Sequence, residues 1–241
     1  MNRIAVVGAR GRMGRTVVRL AEEQGIEVAV ALDAGERMES LAGSGAQVVV
    51  DFSSPGATTG LADIASAAGI AIVSGTTGLH EAAHAALARA SERVAVAWEP
   101  NMSVGVHVLG ALAAQAIAML GPDFDIEVVE THHRMKVDAP SGTAIRLAEI
   151  ARDARGGARL VHGREGKPGA RATSEIGIHA VRGGDVVGDH TVVFAGSGER
   201  LELTHRASDR AVFAHGALRA AQWVAGQKPG VYDMQDVLGL A

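Results

Sequence analysis

Residues 8–14 read GARGRMG; they directly follow the apolar run Ile4–Val7 and lead into a helix-like segment, Arg12–Gln24. Glycines allow a sharp turn after a strand and a close approach of the backbone to a pyrophosphate, and the N terminus of a helix adds N–H donors and positive potential. The spacing is G-x-x-G-x-x-G, which differs from the commoner G-x-G-x-x-G. Between a strand and a helix it predicts a dinucleotide-binding turn made by Gly8, Ala9, Arg10, Gly11, Arg12 and Met13.

The sequence around this turn alternates short apolar runs with helical patterns. The runs typical of buried strands are Ile4–Val7, Val28–Leu32, Val48–Asp51, Ala71–Ser74 and Val94–Trp98. The helix candidates are Arg12–Gln24, Thr58–Ala68 and Glu81–Ala90, and Ala34–Ala46 has room for only a brief helix. Strands and helices that alternate at this spacing predict βαβ units, and therefore an α/β fold with a Rossmann-like parallel sheet.

The pattern changes after Pro100. We predict helices at Val104–Leu120, Ser141–Arg155 and Arg210–Ala225, a strand at Asp125–His132 and a loop over Gly156–Ala172. Three strand-like runs without intervening helices predict an antiparallel arrangement: Glu175–Val181, His190–Phe194 and Leu201–Thr204. We therefore expect a dinucleotide-binding domain of residues 1–102 plus 212–241, and a second, α+β domain of residues 103–211.

Composition limits the class of protein. The 241 residues carry 27 acidic and 23 basic side chains, so the net charge is −4, and no basic stripe indicates a nucleic-acid partner. The absence of cysteine excludes disulfides, cysteine-ligated zinc and thiol nucleophiles. The apolar stretches are too short to span a membrane, and a strand-like run begins at once at Ile4, without a signal peptide. We expect a soluble, cytoplasmic protein.

Asp33 ends the second predicted strand, where an acidic residue binds the ribose hydroxyls of the adenosine and repels a 2′-phosphate. Ala34 follows it, and the nearest basic residues are Arg37 and Arg12. We therefore predict NADH as the favoured cofactor and leave the use of NADPH open.

Two further turns follow the fourth and fifth predicted strands, Ser74–Gly78 and Glu99–Ser103. Ligands in such sheets bind beyond the carboxyl ends of the strands. The backbone of both turns is therefore predicted to contact the nicotinamide, through Gly75, Thr76, Thr77, Glu99, Pro100, Asn101 and Met102.

The densest polar cluster, Glu130–Ala144, runs from the end of a strand through a loop into a helix. Lys136 suits a carboxylate or serves as a proton donor, and Ser141-Gly142-Thr143 opens a helix whose N–H groups suit an anion. Together with His132 and His133, these groups suit a small dianion. Adjacent residues on a strand face opposite ways, so the histidine pair predicts no metal site.

These residues closely resemble the 4-hydroxy-tetrahydrodipicolinate reductase (dihydrodipicolinate reductase) family of bacterial lysine biosynthesis. The resemblance spans nearly the whole chain, and its motifs are Gly8–Gly14, Gly75–Gly78, Pro100–Gly105, His132–Ala144 and Arg182–Thr191. It implies a Rossmann-like cofactor domain and an α+β domain for substrate binding and tetramer formation. It also implies reduction of 4-hydroxy-tetrahydrodipicolinate to tetrahydrodipicolinate by NAD(P)H in diaminopimelate and lysine biosynthesis.

The resemblance further implies the roles of individual residues. His132 and Lys136 are the implied proton donors, and His133 with the Gly142-Thr143 backbone binds the substrate dicarboxylate. The segments that line the cofactor are Gly8–Met13, Asp33, Gly75–Thr77 and Glu99–Met102.

Three features of this sequence depart from the family pattern. The segment between Asp33 and Val48 is shorter than usual, and Glu99 replaces a small residue. Ala34 stands where an arginine often follows the ribose acid, which also favours NADH.

Two other functions stay open at this point. One is a Rossmann dehydrogenase for another small imino or keto dicarboxylate, similar to aspartate dehydrogenase. The other is a nucleotide sensor without catalysis, although a sensor needs no proton donors beside a dianion site.

Overall fold

The structure is a computed structural model that describes residues 1–240. The chain divides into two compact units. Unit 1 comprises Met1–Val104 and the C-terminal segment that begins at Arg210, and unit 2 comprises Gly105–Asp209. Among the described residues, no helix is both long and apolar enough to cross a membrane.

Unit 1 is built on one parallel sheet. Its strands are β1 (Arg3–Val7), β2 (Glu27–Leu32), β3 (Val48–Asp51), β4 (Ala71–Ser74), β5 (Ala95–Trp98) and β11 (Gly230–Tyr232). Its helices are α1 (Arg12–Glu23), α2 (Pro55–Ala67), α3 (Glu81–Ser91), α6 (Ala211–Val224) and α7 (Met234–Leu238), with a 3₁₀ helix at Met38–Leu41. The strand order is β11-β5-β4-β3-β1-β2 and every pair is parallel, which confirms the predicted Rossmann-like sheet.

The two faces of this sheet are covered by different helices. Because successive side chains of a strand point to opposite faces, Ile4 and Val6 pack with residues of α1 and α6, whereas Ala5 and Val7 pack with residues of α2 and α3. Both faces of β1 are thus buried, which explains its continuous apolar run. The carboxyl ends of β1 to β5 meet at one sheet edge, where the predicted turns lie.

Unit 2 packs two helices on one face of a mixed sheet. The helices are α4 (Val104–Leu120), which begins at the unit boundary, and α5 (Gly142–Ala154). The strands are β6 (Asp125–His132), β7 (Arg159–His162), β8 (Glu175–Arg182), β9 (Gly188–Ala195) and β10 (Arg200–Ala207), in the order β10-β9-β6-β8-β7. The core joins apolar side chains of α4 and α5 to those of β6, β8 and β9.

The antiparallel prediction for unit 2 was correct for β9 and β10 but wrong for β8. β8 runs parallel to both β6 and β7, and β9 lies on the other side of β6. The residues between β8 and β9 cross the carboxyl end of β6, where Gly183 donates to the carbonyl of His132 and His133 donates to the carbonyl of Val186. The strands β8 and β9 are therefore consecutive in the sequence but are not neighbours in the sheet.

The predicted loop over Gly156–Ala172 was also wrong in part, because Arg159–His162 forms the edge strand β7. This strand has only four residues, and its backbone is paired in register with β8. Two C-terminal elements, β11 and α7, had not been predicted; β11 adds a parallel edge strand beside β5.

Candidate active site

The turn between β1 and α1 depends on glycine at two positions. Gly8 has φ +80, and a Cβ there would lie 2.4 Å from the carbonyl oxygen of Phe52. A Cβ on Gly14 would lie 2.1 Å from the carbonyl oxygen of Gly8, so this glycine lets α1 pack directly on the end of β1. No side chain caps α1 at Gly11, which leaves the N–H groups of the first turn to an anion.

Several backbone N–H groups of the turn itself are used in hydrogen bonds that fix its conformation. Gly8 and Ala9 donate to the carbonyl of Leu32 at 2.9 and 3.0 Å, and Gly11 donates to that of Gly8 at 3.0 Å. The backbone N–H groups suited to an anion are therefore those at the start of α1, where Arg12 and Met13 lie.

Asp33 lies directly against this turn. Its carboxylate accepts the backbone N–H of Ala34 at 2.7 Å and that of Arg10 at 2.5 Å, and these two bonds lower the pKa of the half-buried Asp33. Glu36, which sequence reasoning did not single out, accepts the N–H of Asp33 at 2.9 Å and pairs with the guanidinium of Arg10. Two carboxylates thus lie where a ribose was predicted.

The turn after β4 is fixed by hydrogen bonds to the buried carboxylate of Asp51. Thr76 is buried; its hydroxyl donates to Asp51 at 3.0 Å, and its carbonyl accepts the indole N–H of Trp98 at 3.0 Å. Asp51 also accepts the hydroxyls of Thr58 at 2.7 Å and Ser74 at 2.8 Å. The side chain of Thr76 therefore fixes the turn, and Thr77 is the exposed residue beside it.

The neighbouring Gly75 allows close packing, because a Cβ there would lie 2.2 Å from the ring of Phe52. In the turn after β5, Asn101 accepts the N–H of Ser103 at 2.9 Å. Met102 is buried in the core of unit 1, whereas Pro100 is exposed and Glu99 is half-buried. The structure thus places the predicted cofactor residues at one sheet edge but turns the side chains of Thr76 and Met102 inward.

In unit 2, the buried face of β6 ends in two polar side chains. Burial alternates along the whole strand, so Ile126, Val128, Glu130 and His132 lie on the same side. Ile126 and Val128 belong to the core. A carboxylate and an imidazole therefore follow them, buried at the carboxyl end of the strand.

The Glu130 side chain is fully buried, and four hydrogen bonds converge on it. Arg182 donates two at 2.7 and 2.9 Å, the backbone N–H of Ser141 lies at 3.0 Å, and Nδ1 of His132 lies at 2.6 Å. Burial opposes ionisation, but the hydrogen bonds from Arg182, His132 and Ser141 outweigh it and hold the pKa of Glu130 below its usual range. Glu130 is therefore an ionised, acceptor-only group.

His132 lies between this carboxylate and a second buried imidazole. The rings of His132 and His190 meet edge to face with their centroids 5.1 Å apart. Burial lowers the pKa of His132, and the hydrogen bond to Glu130 opposes that shift. Burial lowers the pKa of His190 to about 4, and its Nε2 lies 3.1 Å from the hydroxyl oxygen of Ser141. His190 is thus neutral near pH 7, and His132 is the imidazole suited to exchanging a proton.

The loop after β6 places Lys136 close to this pair. Its ammonium nitrogen lies 2.9 Å from a carboxylate oxygen of Asp138, which lowers the pKa of Asp138. Burial is the main cause of the lowered pKa values of His132 and His190. The positive charge of Lys136 lowers both pKa values further, as expected for a cation near the two rings.

The N terminus of α5 adjoins the carboxylate of Glu130. Ser141 is the N-cap: its hydroxyl accepts the N–H of Ala144 at 3.2 Å, and its own N–H reaches Glu130. Gly142 and Thr143 form the first turn behind it. The structure thus brings His132 and the start of α5 together at Glu130, with Lys136 near the ring of His132. His133 is half-buried, and its backbone N–H donates to the carbonyl of Val186.

Sequence reasoning assigned no role to Glu130, Arg182 or His190. A signal for the first was present, because alternation along β6 puts Glu130 on the apolar face, where a charge requires partners. The pairing of Glu130 with Arg182, which lies 52 positions away on β8, carried no local signal. Among residues 1–240, no group of three or more metal-ligating side chains is arranged to hold a metal ion.

Known proteins match this chain over almost its full length. Residues 2–102 match the family profile described as dihydrodipicolinate reductase, N-terminus, and residues 105–238 match the profile for its C-terminus. The 4-hydroxy-tetrahydrodipicolinate reductase of Thiobacillus denitrificans is 49% identical over an alignment of 263 positions, which covers 99% of this chain and 98% of that protein. The reductase of the same name from Myxococcus xanthus is 47% identical, with 99% and 98% covered. Both alignments are longer than the 241 residues of this chain, so these relatives carry additional residues.

Solved structures share the fold. The dihydrodipicolinate reductase of Paenisporosarcina sp. TG-14, described with dipicolinate bound, has a TM-score of 0.77 at 24% identity, with 98% of both chains covered. GenD2 from gentamicin A biosynthesis, in complex with NAD, has a TM-score of 0.60 at 14% identity, with 99% of this chain and 90% of that chain covered. These two likenesses concern the fold alone. The two profiles together match almost the whole chain, and relatives that are almost 50% identical align with it over nearly its full length. The chain therefore belongs to the dihydrodipicolinate reductase family.

Proposed function

We propose that this chain reduces 4-hydroxy-tetrahydrodipicolinate to tetrahydrodipicolinate with NADH or NADPH, a step of diaminopimelate and lysine biosynthesis. The observation that carries the proposal is the buried Glu130–His132 pair beside Lys136 and the N terminus of α5. This polar site occurs in a chain whose other unit holds a glycine turn suited to a dinucleotide. The full-length match to the reductase family supports the same reaction.

Unit 1, and within it residues 1–102 plus 212–241, is the proposed cofactor domain. The N–H groups at the start of α1 suit the pyrophosphate, Asp33 suits the adenosine ribose, and the turns at Gly75–Thr77 and Glu99–Met102 suit the nicotinamide end. A bound reduced nicotinamide supplies the hydride. The close approaches at Gly8 and Gly14 support this assignment, because any side chain there would fill the turn.

Unit 2, and within it residues 103–211, is the proposed substrate domain. His133, Lys136 and the backbone of Gly142-Thr143 suit the two carboxylates of the substrate, because a lysine and a helix N terminus both favour anions. The reaction adds one hydride and one proton and releases one water. His132 or Lys136 donates the proton, since both carry an exchangeable N–H close to the dianion site.

We further propose that NADH is the favoured cofactor. Asp33 and Glu36 place two negative charges at the adenosine end, and both disfavour a 2′-phosphate.

We also propose a cytoplasmic homotetramer that binds this small-molecule dicarboxylate. The match to the reductase family over nearly the whole chain supports this proposal.

The deciding experiment measures oxidation of NADH and NADPH in parallel, with the substrate generated in situ from pyruvate and aspartate semialdehyde by the preceding synthase. We expect rapid oxidation that depends on the synthase and is inhibited by pyridine-2,6-dicarboxylate. Folded protein that oxidises neither cofactor would refute the proposal. Binding of the cofactor without any response to the dicarboxylate would point instead to a sensor, and oxidation with another imino or keto dicarboxylate would point to a different dehydrogenase.

A further inference from the structure

The carboxylate of Glu130 connects three separate parts of unit 2. Its Oε2 contacts Nδ1 of His132 on its own strand, and its Oε1 accepts the N–H of Ser141 at the start of α5. Arg182, on the neighbouring strand, holds both oxygens and also donates to the carbonyl of Asp138 at 2.6 Å. The loop that carries Lys136 is thereby attached to the same group, because Lys136 pairs with the side chain of Asp138.

The arrangement leaves one tautomer for His132. The bidentate guanidinium of Arg182 keeps the carboxylate of Glu130 ionised, and an ionised carboxylate only accepts hydrogen bonds. The Nδ1 atom of His132, 2.6 Å from Oε2, must therefore carry a proton. The Nε2 atom is then the nitrogen that gains or loses a proton. It faces Gly188, where a Cβ would lie only 2.9 Å away, so the absence of a side chain preserves the space beside it.

We propose that Glu130 is a positioning residue: it holds His132 with its proton on Nδ1, directs proton transfer to Nε2, and connects this ring to the N terminus of α5, while Arg182 fixes the carboxylate. This inference rests on the proposed reductase function for its catalytic meaning. The tautomer itself is a property of the protein alone. The two can therefore fail separately.

The first test is the ¹⁵N NMR spectrum of the histidine side chains in the wild-type protein, assigned with His132→Gln. We expect the neutral ring of His132 to be protonated on Nδ1 and not on Nε2. Protonation on Nε2 would overturn the inference without any variant of Glu130. It would leave the reductase proposal untouched, because that is judged by cofactor oxidation in the wild type.

The second test is Glu130→Gln, in which the side-chain amide can donate to Nδ1 and so favour the other tautomer. We expect kcat to fall by roughly 100-fold to 10,000-fold, as for loss of general acid–base catalysis or of the tautomer that supports it. The KM for the cofactor should stay within about threefold, because unit 1 is unchanged.

The pH profile separates positioning from structural support. The carboxylate of Glu130 favours the charged form of the His132 ring and so raises its pKa. In Glu130→Gln, the limb of the pH profile that reports ionisation of His132 should therefore move to lower pH. The other charged or titratable groups near this ring are Lys136, Arg182 and His190, and all are retained in Glu130→Gln. An unchanged tautomer together with kcat within threefold of the wild type would overturn the inference.

Two variants control for folding. Glu130→Gln combined with Arg182→Gln removes both members of the buried pair, so thermal stability should recover relative to Glu130→Gln while kcat stays low. Recovery of kcat in step with stability would show a structural role only. Glu175→Gln removes another buried, arginine-paired carboxylate from the same sheet, at a site apart from His132, and should keep kcat within threefold.

Discussion

The guanidinium of Arg10 is paired with the carboxylate of Glu36 at the tip of the dinucleotide turn. The same carboxylate accepts the backbone N–H of Asp33. Glu36 therefore neutralises a basic residue beside the proposed ribose site and withholds it from a 2′-phosphate.

Glu36→Gln should shift cofactor use toward NADPH, because it removes one negative charge and releases Arg10. We expect the ratio of kcat/KM for NADPH to that for NADH to rise about tenfold, roughly 1.4 kcal/mol. Initial-rate measurements with both cofactors test this. Glu39→Gln makes the same change of charge at an exposed position nearby and should leave the ratio unchanged; an equal rise in both variants would show a general charge effect.

Trp98→Phe should weaken cofactor binding without affecting the substrate site. The indole N–H holds the carbonyl of Thr76 in the turn proposed to contact the nicotinamide. Loss of one hydrogen bond of about 1 kcal/mol predicts a rise of about fivefold in the KM for the cofactor. Trp223→Phe is the matched control, because that ring packs against Tyr232 in the same unit. A KM that is the same in both variants would contradict the expectation.

Gly188→Ala should impair turnover, because the new methyl group would lie 2.9 Å from Nε2 of a ring that Glu130 prevents from moving away. Displacement of a reacting group by a fraction of an ångström to 1 Å predicts a loss of about 10-fold to 100-fold in kcat. The comparison is Gly183→Ala, in the crossing segment that precedes β9, where a Cβ meets nothing within 4 Å. Steady-state kinetics in which both variants lose activity equally would rule out a specific contact with His132.

Unit 2 should lose stability in acid through Glu127. Burial opposes its ionisation, yet hydrogen bonds from Arg164, Arg171 and His179 lower its pKa from 4.5 to about 2. A carboxyl with a lowered folded-state pKa stabilises the fold above its unfolded pKa, and that contribution is lost as the pH falls toward the folded value. The free energy of unfolding should therefore decline between about pH 4.5 and pH 2.

Glu127→Gln should flatten that decline and cost on the order of 3 kcal/mol at neutral pH, where the carboxylate is fully ionised. Denaturant unfolding at a series of pH values measures both effects. Glu199→Gln, which removes an exposed carboxylate from the same unit, should keep the wild-type slope. If Glu127→Gln leaves the pH dependence of the free energy of unfolding unchanged, other groups cause the acid sensitivity.

Local patterns predicted much of the fold. The parallel sheet of unit 1 followed from apolar runs that alternate with helical patterns, and α4, β3, β4 and β6 have the predicted bounds. The error in the predicted strand pairing of unit 2 has one cause. Its three late strands are close in sequence, which suggests hairpins, but β6 lies between β8 and β9 and prevents the first of them.

The sequence by itself determined the glycine turn, the acid at Asp33 and the polar segment from Glu130 to Thr143, because each depends on a local order of residue types. Only the tertiary structure decided which groups those residues contact. Arg182 reaches Glu130 across 52 positions of the sequence, and Glu36 reaches Arg10 across 26. A periodic pattern shows which face of a strand is buried, but not which strand lies beside it, because pairing between strands joins residues that are distant in the chain.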